Sequence, residues 1–150
     1  MCLRSSIART HARESFQVLR RSDRTFIRNT PNAPAAARRY VRDALAGLPR
    51  DIVETVSLMV SELATNCVRH ANTDFTMTIE QTMRHVRVEI ADGGSGQVAT
   101  RHPEPTELSG RGLRIIDRLS DTWGVTQHPD RAGKSVWFTV GLDRALTSSR

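Results

Sequence analysis

Ile52, Val56, Met59, Val60, Leu63 and Cys67 recur at spacings of three and four within residues 51 to 71, the repeat of an amphipathic α-helix. At roughly 100° per residue these side chains share one arc, which needs a second layer to bury it. Glu62, Asn66 and His70 stand at i, i+4 and i+8, so they form a polar stripe beside that arc. A carboxylate at the rim of a buried surface costs free energy unless it is paired or hydrogen-bonded, whereas a solvated glutamate would stand opposite the arc. Glu62 and Asn66 are therefore candidates for more than solubility.

The segments around this helix predict a mixed α/β domain. Residues 25 to 28 read as a short strand, with Thr30 and Asn32 as candidate caps for a helix over 35–46 that has Pro34 near its first position and ends at Gly47 and Pro49. Strand-like runs over 75–81 and 86–91 predict a hairpin turning at 83–85, and Val86, Val88 and Ile90 alternate with Arg87 and Glu89, so one face is buried. Asp92 then opens a DGGSG cluster. Residues 97 to 109, with two prolines and no period, are long for a structural connection and are expected to form a lid. A helix resumes at Gly112, and strands over 123–127 and 135–142 close the domain, with Trp123 and Trp137 expected to anchor both strands to the helical layer.

Composition narrows the setting. A length of 150 residues suits one domain, and apolar runs of only two or three residues exclude a membrane span. The opening MCLRSSIART lacks the apolar core of an export signal, so the chain is expected in the cytoplasm, with Cys2 and Cys67 as reduced thiols. Of the net charge of +6, +5 falls in residues 1 to 28, which leaves residues 29 to 150 nearly neutral. Nucleic acid is thus not an expected partner of the domain; polyanion binding by the Arg-rich leader stays open as an alternative. The predicted organisation is a flexible leader over 1–24, one domain over 25–143 and a tail over 144–150.

Four motifs follow in a fixed order: SELATNCVRHA (Ser61 to Ala71), ADGGSG (Ala91 to Gly96), SGRGLRIIDRLSDTWG (Ser109 to Gly124) and GKSVWF (Gly133 to Phe138). On these, residues 30 to 142 resemble the ATP-binding domain of the GHKL superfamily of histidine kinases, gyrase-type enzymes and anti-sigma-factor serine kinases, and are most similar to its short stand-alone actinobacterial members. The resemblance implies a two-layer α/β sandwich, a mixed and largely antiparallel sheet covered on one face by helices, with ATP and Mg²⁺ as ligands. It implies that Asn66 holds Mg²⁺ on the nucleotide phosphates through its side-chain oxygen, a hard ligand of the kind magnesium takes. Asp92 would accept the adenine exocyclic amine, assisted by Ser135 directly or through water.

The glycines carry the remaining roles. Gly94 and Gly96 would let the backbone close over the nucleoside, and Gly110-Arg111-Gly112-Leu113 would bring helix-start amides against phosphate oxygens. Arg111 either neutralises phosphate charge or is an exposed structural arginine. Glu62 matches the general base of the serine-kinase branch, the alternative being a helix-edge carboxylate paired with Arg69. His70 is expected to be a packed or hydrogen-bonded side chain, and no histidine spacing suits zinc.

The function so implied is that of an ATP-binding anti-sigma-factor-like regulator with serine/threonine-protein kinase activity. Its partners would be a sigma factor and an anti-sigma antagonist, with a homodimer in keeping with the family. The other reading is a nucleotide-binding protein that sequesters its partner without phosphotransfer.

Overall fold

A computed structural model of the chain describes residues 17–27, 30–71, 73–92, 112–127 and 133–143. The elements run β1 (Arg20–Phe26), α1 (Ala33–Ala44), α2 (Arg50–Asn66), a π-helical turn (Cys67–Ala71), β2 (Phe75–Gln81), β3 (His85–Asp92), α3 (Arg114–Leu119), β4 (Thr122–Gln127) and β5 (Lys134–Gly141). The strands form one sheet in the order β1-β2-β3-β5-β4. All four pairings are antiparallel, so among the described residues the sheet is wholly, rather than largely, antiparallel. The expected α/β sandwich is the architecture the chain adopts.

The two faces of the sheet differ in chemistry, and that difference decides where the helices lie. Strand alternation sends Phe75, Met77, Ile79, Val86, Val88, Ile90, Val136, Phe138 and Val140 to one face, where all are buried. Ile52, Val56, Met59, Val60 and Leu63 of α2 and Ala33, Ala36, Ala37 and Val41 of α1 join them in a single core. Phe26 stacks on Phe75 with ring centroids 5.0 Å apart and meets Tyr40 of α1 edge-on at 6.0 Å, which ties the β1 edge to the helical layer.

The opposite face is a ladder of polar cross-strand pairs. Arg21 reaches Glu80 at 3.2 Å, Thr78 donates to Asp23 at 2.7 Å, and the hydroxyls of Thr25 and Thr76 and of Thr122 and Thr139 meet at 2.9 and 2.6 Å. Exposed pairs of this kind add little stability each, but they set register where no apolar pattern does. They also explain β1. The strand predicted over 25–28 starts at Arg20, so residues 20 to 24, assigned to the leader from sequence, belong to the sheet.

Helix α1 begins at Ala33 with Asn32 in the left-handed region (φ 52°), a conformation asparagine tolerates better than most residues. The predicted long helix winds as α only to Asn66 and then widens into the π turn. Its stripe is therefore regular from Glu62 to Asn66 and broken before His70, whose side chain lies outside the described residues. The leader as far as residue 16, the lid and the tail from residue 144 also lie outside them. No helix among the described residues is long and apolar enough to cross a membrane.

Trp123 sits on the core side and donates from Nε1 to Asp117 at 3.0 Å, whereas Trp137 lies on the polar face, with the Arg87 guanidinium 5.3 Å from its ring centroid. Its strand partner across the pair is Gly124, where a Cβ would stand 2.8 Å from Cζ2 of the indole. Glycine inside a strand ordinarily costs stability, so alanine there would help if space allowed. Because the indole occupies that space, Gly124→Ala should lower stability by about 1–3 kcal/mol in urea denaturation. A midpoint at or above wild type would show that the indole is free to move.

Candidate functional site

Two chain segments far apart in sequence meet on one flank of α2. The backbone at Gly112 lies against Glu62 and Asn66: a Cβ there would stand 3.0 Å from Asn66 Nδ2 and 3.8 Å from Glu62 Cβ. A side chain at position 112 would be tight against the Asn66 amide, and with glycine there the backbone sits directly beside the two polar side chains. Leu113 packs against the core just before α3, and Ile116 within α3 is fully buried, so the segment is held by apolar contact on its inner side.

Helix α2 is fixed in rotation by its own arc and by α1. Arg38 of α1 donates to Ser61 Oγ at 2.7 Å, one residue before Glu62, and the Thr65 hydroxyl donates back to the Ser61 carbonyl at 2.7 Å. Glu62 and Asn66 are half-buried. Glu62 forms no salt bridge with Arg69 or another cation among the described residues.

Asp92 ends β3 on the same face of the sheet as the helices, opposite Phe75, and is 9% exposed. Its Oδ1 accepts the backbone N–H of Lys134 at 3.2 Å, which orients the carboxylate and leaves Oδ2 without a hydrogen bond among the described residues. The buried Cys67 thiol joins this end of α2 to the end of the sheet. Its pKa is pushed up to about 12, first by burial and then by the negative charge of Asp92, with Lys134 opposing. Asp92, Cys67 and Lys134 are therefore electrostatic neighbours directly after Asn66.

Ser135 is fully buried but occupies a different place from the one predicted. It pairs with Ala91 and Thr126, one register step from Asp92, so strand alternation turns it to the far side of the sheet from the Asp92 carboxylate. The residue at Asp92's level is Lys134, and sequence reasoning missed its part because a backbone N–H leaves no side-chain signature. Gly94, Gly96, Gly110 and Arg111 lie outside the described residues. Glu62, Asn66, Gly112 and Leu113 are brought together, with Asp92 at the neighbouring strand end.

Among the described residues no group of three or more His, Cys, Asp or Glu could hold a metal ion. The donor set instead suits magnesium carried in on phosphates: with Nδ2 of Asn66 toward Gly112, the other arm of the amide is a hard oxygen, and Mg²⁺ commonly keeps several waters and takes few protein ligands.

Residues 27–140 match the family model of the histidine kinase-like ATPase domain. No curated protein matches the chain.

The Cys67 thiol gives the site a pH signature. Because the folded pKa lies near 12 and the ordinary value is 9.0, the unfolded chain loses this proton first. The contribution is complete below pH 9 and is lost as pH rises toward 12. Stability in denaturant should fall over that window, and Cys67→Ala should flatten the fall. In a Cys2→Ser background, native protein at pH 8 should react with a thiol reagent only as fast as it unfolds; rapid native labelling would contradict the burial of the thiol.

Proposed function

The chain belongs to the histidine kinase-like ATPase family, and from that premise we propose that it is an ATP-binding regulator that phosphorylates a serine or threonine of an anti-sigma antagonist and binds a sigma factor. The observation that carries the reading is the contact of Gly112 with Glu62 and Asn66, next to an oriented Asp92. A carboxylate, a hard amide oxygen and a close-packed glycine backbone on one flank are the parts that phosphoryl transfer uses.

In this reading each residue has one task. Asp92, held by the Lys134 N–H, presents Oδ2 to the exocyclic amine of adenine, an acceptor-only group facing a donor. Asn66 supplies an oxygen to the Mg²⁺ that accompanies the phosphates, and bound magnesium offsets their negative charge. Gly112 leaves room for the phosphate chain beside α2. Glu62, four residues before Asn66 on the same helix face, accepts the proton of the incoming hydroxyl as its oxygen attacks the γ-phosphorus and the bond to the bridging oxygen of ADP breaks. Arg38, through Ser61, holds the turn that carries Glu62 and acts on position, not on the chemistry.

Titration of the full chain with ATP and Mg²⁺, followed by thermal shift, tests the binding half. Wild type should be stabilised, and Asp92→Asn and Asn66→Ala should lose most of that response. Transfer of labelled phosphate to the antagonist tests the kinase half, and Glu62→Ala should bind ATP but transfer at least about a hundredfold more slowly. Binding without transfer in wild type would leave a sequestering protein; transfer at the wild-type rate by Glu62→Ala would remove the assigned base.

A further inference from the structure

We infer that Thr73 is a second reader of the nucleotide base, standing beside Asp92 and supplying the hydroxyl that Ser135 is turned away from supplying; the inference rests on the nucleotide-site reading above. Thr73 is 8% exposed, and its Oγ1 is buried with no hydrogen-bond partner among the described residues. A buried hydroxyl left unpaired is costly and uncommon, and it calls for a partner the free protein does not hold.

Its direction follows from the strand it leads into. Thr73 is buried, Asp74 exposed and Phe75 buried, so the period of two that runs along β2 extends back through Thr73. Thr73 therefore faces the helical layer, as Phe75 does. Phe75 is the register partner of Asp92 on that face, which sets Thr73, two residues earlier in the bend that leads into β2, near the Asp92 end of β3. A ligand edge with two adjacent polar atoms can meet both groups there, directly or through one bridging water.

The two groups complement adenine in order. Asp92 can only accept, so it takes the exocyclic amine; the next atom on the same edge, N1, is an acceptor and needs a donor, which a threonine hydroxyl provides. Guanine presents the reverse sequence, a carbonyl followed by an N–H, and sets its oxygen against the Asp92 carboxylate. Thr73 and Asp92 together thus select adenine over guanine, with Thr73 acting on the base and not on the phosphates.

The test uses the full chain, Thr73→Val, Thr73→Ser and Ser135→Ala, with ATP, ADP and 1-deaza-ATP, in which C–H replaces N1. Thr73→Val should weaken ATP and ADP alike, by about fivefold, the loss of one hydrogen bond. Its melting temperature without nucleotide should be no lower than wild type, since an unpartnered hydroxyl has been removed. Wild type should bind 1-deaza-ATP as weakly as Thr73→Val binds ATP, Thr73→Val should bind the two equally, and Thr73→Ser should retain wild-type affinity. Discrimination against 1-deaza-ATP that survives in Thr73→Val, or a larger loss in Ser135→Ala than in Thr73→Val, would overturn the inference while leaving the nucleotide site intact. A wild type that binds no ATP would overturn the functional reading itself.

Discussion

Burial of the α2 arc against the sheet is the constraint from which the rest of the structure follows. Ile52, Val56, Met59, Val60 and Leu63 are each 2% exposed or less, so the helix has one rotational setting that hides them all. Truncating any of the larger ones would cost about 2–5 kcal/mol, whereas turning the helix by one position would expose several at once. That setting puts Glu62 and Asn66 on the flank that Gly112 approaches. The polar residues are where they are because of the apolar ones.

The sheet imposes the complementary constraint. Its polar face, laddered by Arg21–Glu80, Asp23–Thr78 and the threonine pairs, cannot receive a second helical layer without stripping water from charges. One face is left for both helix packing and the candidate site. Asp92 can belong to that face only because β3 alternates strictly from Val86 through Val88 and Ile90, so its carboxylate ends a row of buried side chains. Such a group needs hydrogen bonds, and the Lys134 N–H supplies one while the other oxygen has none among the described residues. Structural necessity and ligand chemistry meet in the same atom.

The parts of this arrangement legible in the sequence are those written in side-chain periodicity. The arc of α2, the β2–β3 hairpin and the glycine before α3 each leave a local pattern, and the rim position of Glu62 and Asn66 follows from the first. The first five residues of β1 left none: RRSDRTF has a single buried residue, Phe26, and is held by partners more than fifty positions away, such as Glu80 and Thr78. The change from α to π winding after Asn66 was equally silent, because Cys67 continues the apolar spacing whichever ladder the backbone forms. Lys134 acts through its backbone and Ser135 is placed by register, and neither property is encoded by residue type. Registers are decided between strands, so a serine two positions after a glycine says nothing by itself of which face it takes.

The neutral thiol at position 67 completes the electrostatics of this corner. It is buried beside Asp92, and a thiolate there would set two negative charges together in a desolvated place; burial and that repulsion push its pKa up to about 12 and keep the proton on. The end of α2 therefore sets a neutral thiol beside an acceptor already oriented by the Lys134 amide. A site with one fixed acceptor and a neutral floor favours a ligand edge that offers a donor at that point, and it disfavours any that offers a carbonyl. In the proposed reading, selectivity for the base is a property of the fold's packing as much as of the residue that would touch it. Cys67 contributes by remaining small, buried and uncharged, the same qualities that let it close the apolar arc of α2.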